Sequence, residues 1–456
     1  MSAPRRIDDL IALIRRGRVL LPDGRDVTIA EAWHDAETDP AARWIAPGDR
    51  VVLSEPAGAD LVRATLAVWA QGGVAVFGVD PHRCGDWPAD VRVRSWPDGA
   101  VLHDASPRTD AVAVIHTSSG TTGRPKLARR SFESLAAEAE RYAACYAPAA
   151  GARAYLAAPI THSFAFGAML GLLAAGCVVQ VAPVFRPRAL ADALRGGADI
   201  VVLTPPMARL AIEAAQERDQ PLRCAPQLVI AGAGAVPGRL DAEFRRAFGC
   251  GLARNYGASE TGASFGAAQS LPEGCLGRPF RGVRVVSPRP GDHIGELIVD
   301  LDHPILSLEG KTATPPMQRG LWRSGDLAEV DDDQRVWLRG RIDDRVKING
   351  HLIDCAALAA QARAAPGVSD AVALALPRPQ RGEIHDLVLI CECRDEAVSA
   401  ADISLAAMPQ TPMIVLTRTE FPRTAAGKPD RDQLRSFAEA RLRRGAARGE
   451  MQGEPR

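Results

Sequence analysis

No stretch of 18 uncharged apolar residues occurs in the 456-residue chain, so no membrane-spanning helix is expected. Nor is there an excess of charge. Lysine plus arginine and aspartate plus glutamate number 55 each, so nothing draws the chain as a whole to nucleic acid or to a membrane surface. The nine cysteines include no C-x-x-C pair, and Cys391 and Cys393 fall on one face of the run LVLICEC, which leaves a zinc site little support. Their odd number and scatter suit a reducing cytoplasm. The opening MSAPRRIDDLIALIRRG lacks the long apolar core of a secretory signal and reads as an amphipathic helix. Internal repeats are absent as well.

What the chain does have is alternation. Its length exceeds a single core and predicts two or three structural units. Short Val/Ile/Leu runs such as RVVLSEP, AVAVIHT, VVQVAPV, DIVVLTP and QLVIAGA are separated by Ala/Leu/Arg/Glu segments such as SFESLAAEAERYAACYA. That pattern predicts an α/β fold with largely parallel sheets flanked by helices. From residue 280 onward GVRVVSP, GELIVDL and QRVWLRGRI crowd together, which predicts a small antiparallel, barrel-like piece. The expected division is a large N-terminal domain over 1–342 and a small, mobile α+β C-terminal domain over 343–456. The final RLRRGAARGEMQGEPR reads as a frayed end.

The densest polar stretch is HTSSGTTGRPK, residues 116–126, directly after the buried-strand pattern AVAVI. Glycines let a backbone come close to a ligand, and amides, hydroxyls and one ammonium together suit a polyphosphate. It is not a Walker A loop, which needs G-x-x-x-x-G-K-S/T; Gly120 and Gly123 are three apart and Leu127 follows Lys126. By itself the stretch also fits a solvated turn. NYGASETG (255–262) sets Tyr256, Gly257 and Glu260 together: a ring that can stack on a base and a carboxylate that can hold a divalent cation. LWRSGDLAEV (321–330) puts Asp326 at an expected strand–turn–strand junction, where a lone carboxylate is usually a turn former. GRIDDRVKINGHLID (340–354) and RTAAGKPDR (423–431) each place a lysine beside a glycine. A dinucleotide-binding oxidoreductase would draw on AGAGAVPG (231–238). Its glycines are spaced G-x-G-x-x-x-G, and no acidic residue follows in the right strand context.

In this order the motifs resemble the adenylate-forming superfamily: acyl- and aryl-CoA synthetases, peptide-synthetase adenylation domains and beetle luciferases. TSSGTTGRPK resembles its phosphate loop, YGASE its aromatic signature, RSGDL its Arg-Ser/Thr-Gly-Asp signature, GRIDDRVKINGHLID its hinge and RTAAGKPDR its C-terminal lysine motif. Two departures stand out. Leu127 occupies a position where the family usually has glycine, and the region before residue 110 is shorter than usual. The resemblance implies that Thr117, Ser118, Ser119, Gly120, Thr121, Thr122, Gly123 and Lys126 grip the β- and γ-phosphates of ATP. It further implies that Tyr256 and Gly257 face adenine, that Glu260 holds Mg2+, and that Asp326 takes the ribose hydroxyls with Arg341 nearby. Asp343 would be the hinge, Lys347 and Gly350 would line the thiol tunnel, and Lys428 would reach the substrate carboxylate and the α-phosphate. The thiol would come from CoA or from the phosphopantetheine arm of an acyl carrier protein; release of a free adenylate is the alternative.

Amino-acid-activating members carry an aspartate thirteen residues before a glycine in a small-apolar run. In PITHSFAFGAMLGLLAAGC that count back from Gly176 ends on Ser163, and no acidic residue occurs in the stretch. A buried ammonium without a carboxylate costs several kcal/mol, so an α-amino acid is rejected. His162 resembles the histidine that CoA ligases and aryl-acid enzymes place there, and reads equally as a core-lining residue. Phe164, Phe166, Gly232, Ala233, Gly234 and Ala258 read as pocket lining for an aryl or medium acyl carboxylic acid. The trimmed length resembles the short ligases that load hydroxybenzoate-type starters in aryl-polyene pigment pathways.

Overall fold

The computed structural model describes residues 7–448 apart from 54–56, 78–91, 104–110, 119–125, 218–223, 310–316, 319, 343–344, 349–350, 379–380, 394–412 and 425–427. The elements that build the site are, in chain order, β1 (Val112–Ser118), β2 (Lys126–Ser131), α1 (Phe132–Tyr146), β3 (Arg153–Leu156), α2 (Ser163–Ala174), β4 (Ile200–Leu203), β5 (Leu228–Ala231), β6 (Ala253–Ala258), β7 (Gly262–Ser270), β8 (Leu321–Val330) and β9 (Val336–Arg341).

The branched-aliphatic runs become strands because both of their faces are covered. Every residue of β4 and β5 is buried, as parallel strands flanked by helices require. These two pair in parallel with each other, with β6 on one side and with β3 on the other. Val178–Val181 and Arg18–Leu20 extend the parallel set beyond β3. A second sheet has Val112–Ser118, Val74–Phe77, Arg50–Val52 and Val93–Ser95 as its parallel centre. One core unites them: Phe77, Ala113 and Val114 of the second sheet and Leu156, Val202 and Ile230 of the first belong to the same cluster as the buried face of α2. Helix α2, SFAFGAMLGLLA, is apolar all round and buried along its length, the pattern of a helix enclosed by other layers.

Helix α1 lies against α2 through two notches. A Cβ on Gly167 would overlap the Glu138 carboxylate, and a Cβ on Gly171, one turn on, would overlap the Tyr142 side chain. The strands after β6 are antiparallel, as their crowding predicts, and join the first sheet through β7 and Cys275–Pro279, then β9, β8, Gly295–Leu301 and Val283–Ser287. The C-terminal part has its own core. Val368–Arg378, Arg381–Cys393 and Met413–Arg418 form a sheet. Cys355–Ala364 covers one face, with Cys391 and Cys393 beneath it, and Arg431–Arg448 covers the other through Leu434, Ala438 and Leu442. Residues 441–448 differ from the frayed reading: the i, i+4, i+8 apolar stripe of this last helix holds it to the sheet, and helix continues through RLRRGAAR to Arg448, while 449–456 lie outside the described residues. Among the described residues no helix is long and apolar enough to cross a membrane.

Candidate active site

Four parallel strands, β3, β4, β5 and β6, run into connections at the same edge of the first sheet, where α/β folds place their ligands. The segment after β3 leads to His162, which caps α2. Its Nδ1 accepts the Phe164 amide at 3.3 Å, so the other ring nitrogen is left as the donor. Burial, and then the nearby Lys428 ammonium, push the His162 pKa down to about 4, which keeps the ring neutral at pH 7. Ser163 is buried, and its Oγ lies 3.1 Å from Ser259 Oγ, tying the start of α2 to the turn after β6. Phe164 lays its ring against Gly232 at the end of β5, and Ala233 follows with a left-handed φ of 59°. Gly234 faces Pro205. Phe166 points away from this edge, into the aromatic cluster of Trp69, Phe77 and His116. A Cβ at 232 would overlap the Phe164 ring, so Gly232→Ala is expected to lower stability by about 1–3 kcal/mol through overpacking. Urea unfolding of this variant and of Gly232→Ala/Phe164→Leu checks it; the second change should restore most of the loss.

The turn from β6 to β7 carries the aromatic signature. Gly257 has no room for a side chain, because a Cβ there would overlap the Gly262 carbonyl oxygen. The amide of Ala258 donates to Thr261 Oγ1 at 3.1 Å, which closes the turn around half-buried Glu260. The Tyr256 hydroxyl donates to one oxygen of Asp326 while Arg341 pairs with the other. Burial and the facing carboxylate of Asp326 raise the Tyr256 pKa well above its ordinary value. Asp326 stands within β8 and not at a turn; the β8–β9 register sets it opposite Arg341, which is why the two meet.

Lys428 comes from the C-terminal part. Its loop is pinned by the Thr424 amide donating to the Lys428 carbonyl at 2.8 Å and by pairing of Arg423 with Pro429. The side chain keeps solvent contact, yet its ammonium lies in a crowded cleft. Desolvation and then Arg341 lower its pKa, and Asp326 opposes the shift. Residues 162, 326, 341 and 428, drawn from four distant points of the sequence, therefore share one electrostatic environment.

Ser119, Gly120, Thr121, Thr122 and Gly123 lie outside the described residues, as do Asp343 and Gly350. The backbone of Thr117 and Ser118 ends β1, that of Lys126 opens β2, and that of Lys347 lies in the strand Arg345–Ile348.

Two buried groups escape the sequence reading. Arg130 and Glu138 form an ion pair with side chains 1% and 0% exposed, and Arg141 donates to the carbonyls of Thr261 and Ala263. In AEAER Glu138 and Arg141 look like the solvated face of a helix; the available signal is the pair of glycines, 167 and 262, whose missing side chains make room for Glu138. His116 is 1% exposed between Phe77 and Phe166, and among the described residues neither ring nitrogen has a hydrogen-bond partner.

Among the described residues no group of three or more His, Cys, Asp or Glu could hold a metal ion. Magnesium bound through one carboxylate and nucleotide phosphates requires no such group, and Glu260 is a hard oxygen donor at the same strand edge, so the residues fit it.

An α/β fold with polar residues gathered at this strand edge is the arrangement in which such folds hold a nucleotide. Residues 79–303 match the family model of the AMP-binding enzymes. A 3-hydroxybenzoate/4-hydroxybenzoate–CoA ligase of Thauera aromatica is 26% identical over 78% of this chain and 72% of its own length. A 3-hydroxybenzoate–CoA ligase of Aromatoleum is 29% identical over 79% and 72%. The ATP-bound MatB of Rhodopseudomonas palustris superposes with a TM-score of 0.75 over 94% of this chain and 98% of its own, at 20% identity, and so shares the fold. Residues 79–303 thus resemble the AMP-binding enzymes, and most of the chain is similar to aryl-CoA ligases.

Proposed function

We propose that the protein is an ATP-dependent carboxylic acid–thiol ligase. It activates an aryl or medium acyl acid, of hydroxybenzoate type, as the acyl adenylate with release of pyrophosphate, and transfers the acyl group to a pantetheine thiol of CoA or a carrier protein. The observation that carries this reading is the convergence of Tyr256, Asp326, Arg341 and His162 with Lys428. Two of the relatives are hydroxybenzoate–CoA ligases, and the structural neighbour binds ATP. The absence of an acidic residue from 159–177 supports a neutral acid pocket around His162, Ser163, Phe164, Gly232, Ala233, Gly234 and Ala258.

A carboxylate attacking an α-phosphorus meets like charge with like charge, so positive charge between the two is the main requirement. Lys428 supplies it as a point charge on a flexible stem. No general base is needed, because the attacking carboxylate is already ionised at pH 7. His162, neutral and a donor through Nε2, orients that carboxylate without adding a competing charge. Asp326, already an acceptor from Tyr256 and Arg341, takes the ribose hydroxyls, and the ring of Tyr256 covers adenine. Bound magnesium would supply charge neutralisation on the phosphates, held by Glu260. Residues 117–126 would grip the β- and γ-phosphates. Thiol attack on the adenylate needs Lys428 withdrawn, so the unit after 342 turns about Asp343 and brings Lys347 and Gly350 to the thiol path.

Pyrophosphate exchange across a panel of carboxylic acids tests the first step; no exchange with any aryl or acyl acid would remove this reading. Repeating the reaction with CoA and with a holo carrier protein assigns the acceptor. Glu260→Gln keeps the shape and removes the charge, so it is expected to raise the Mg2+ concentration for half-maximal exchange by about tenfold or more without altering the fold. A Mg2+ titration beside a far-UV spectrum checks this, and a wild-type titration would return Glu260 to a surface role.

A further inference from the structure

The carboxylate proposed for magnesium stands on a turn that is held from below. Glu138 of α1 is fully buried, and its Oε1 accepts the amide of Ala263, the second residue of β7, at 2.7 Å. Gly262, at φ 63°, leaves no space for a Cβ, which would come within 2.6 Å of the Glu138 carboxylate carbon. Three residues along the same face of α1, Arg141 Nη1 donates to the carbonyls of Thr261 at 3.4 Å and Ala263 at 3.3 Å. On its other side Glu138 is fixed by Arg130 of β2, which also donates to Ser134 Oγ at 2.8 Å and to the Ser134 carbonyl at 3.0 Å. The backbone of 261–263 is thus clamped by one acceptor and one donor from a single helix. Glu260 precedes that clamp by one residue, and Ser259, bonded to Ser163, precedes Glu260. The same Glu138 carboxylate fills the notch at Gly167 in α2, the helix that begins at His162 and Ser163.

We propose that Glu138 and Arg141 are positioning residues for Glu260. They hold the Ser259–Ala263 turn so that the Glu260 carboxylate stays where a nucleotide-bound divalent cation can take it, and they tie that turn to the helix that begins the acid pocket. This rests on the reading of Glu260 as the magnesium carboxylate. Neither residue touches a reacting atom. Outer groups that orient a ligating carboxylate commonly change metal affinity by about 10–100-fold when removed.

The test is Mn2+ binding to the full chain in the presence of a non-hydrolysable ATP analogue, read from the electron paramagnetic resonance signal of free Mn2+. Three variants are compared with wild type, and thermal unfolding of each is recorded. Glu138→Met and Glu138→Gln both deprive Arg130 of its ion partner, but glutamine keeps an oxygen for the Ala263 amide. Glu138→Met is expected to weaken Mn2+ binding by about tenfold or more while Glu138→Gln stays close to wild type. Arg141→Met is expected to weaken it in the same direction. If Glu138→Met does not fold, Arg130→Met/Glu138→Met takes its place, because it leaves no uncompensated buried charge. Glu260→Gln is the reference. If it weakens Mn2+ binding and the methionine variants bind Mn2+ as wild type does, the clamp has no positioning role and the proposal is overturned. If Glu260→Gln itself binds Mn2+ normally, the reading of Glu260 falls, and the proposal with it.

Discussion

Lys428→Ala is expected to slow adenylation of the acid by about 10²–10³-fold, the scale for one preorganised electrostatic group, while leaving thioester formation from a supplied acyl adenylate near its original rate. The asymmetry follows from charge. In the first step two anionic reactants approach, and the ammonium is the positive group of the C-terminal part that enters the cleft of Asp326, Arg341 and His162. In the second step a thiol attacks a mixed anhydride, and the repulsion that the lysine offsets is gone. Desolvation of the ammonium and then Arg341 lower the lysine's pKa, as expected where an anionic ligand is to be received. Pyrophosphate exchange and single-turnover thiolysis on one preparation measure the two steps separately. An equal fall in both would remove Lys428 from the charge-offsetting role. A companion effect is expected on His162: its pKa is depressed partly by Lys428, so the alanine variant should titrate His162 at a higher pH.

The parts of this site legible in the sequence are those whose chemistry is written in contiguous residues. Tyr256, Gly257 and Glu260 fall within one turn, and Asp326 and Arg341 fall in adjacent hairpin strands whose register sets them face to face. That Asp326 lies within a strand was not legible, because RSGD has the composition of a turn; Gly325, at φ 71°, bends the backbone at a register shift between β8 and Gly295–Leu301, which pair on both sides of it. Buried charge was not legible either. Glu138 and Arg141 sit in a segment whose alternation of Ala, Glu and Arg is that of a solvated helix face, and only packing against Gly167 and Gly262 makes it an inner face. The same limit applies to the last helix, where RLRRGAAR reads as a polar tail until the sheet supplies partners for Leu434, Ala438 and Leu442. Fold class survived these errors because it depends on the period of apolar runs, which is redundant along the chain. The site depends on single residues at contacts far apart in sequence.

Two histidines held neutral inside the large domain give the protein a stability that is expected to fall as pH drops from about 6.5 to about 4, with His162 alone contributing up to about 3 kcal/mol of the loss. The folded-state pKa of His162 is depressed to about 4, by burial first and by Lys428 second. His116 is pushed well below the usual histidine value by burial, then by Arg130 and His162. In the unfolded chain both titrate near 6.5. Below that pH the unfolded state binds protons that the folded state refuses, so unfolding gains free energy with each unit of acidification until the folded pKa is reached. The effect is present in full at low pH and absent above neutrality. Carboxylates with lowered pKa, such as Asp241 beside Ser270 and Arg245, lose their contribution below the ordinary carboxylate range, so the window between about pH 6.5 and pH 5 isolates the histidines. Urea midpoints through that window should fall by an amount matching uptake of one to two protons on unfolding. His116→Phe, which suits the Phe77–Phe166 cluster, together with His162→Gln should flatten the slope. A wild-type midpoint that is level across the window, or a double variant that keeps the wild-type slope, would mean that these rings are not the groups that resist protonation.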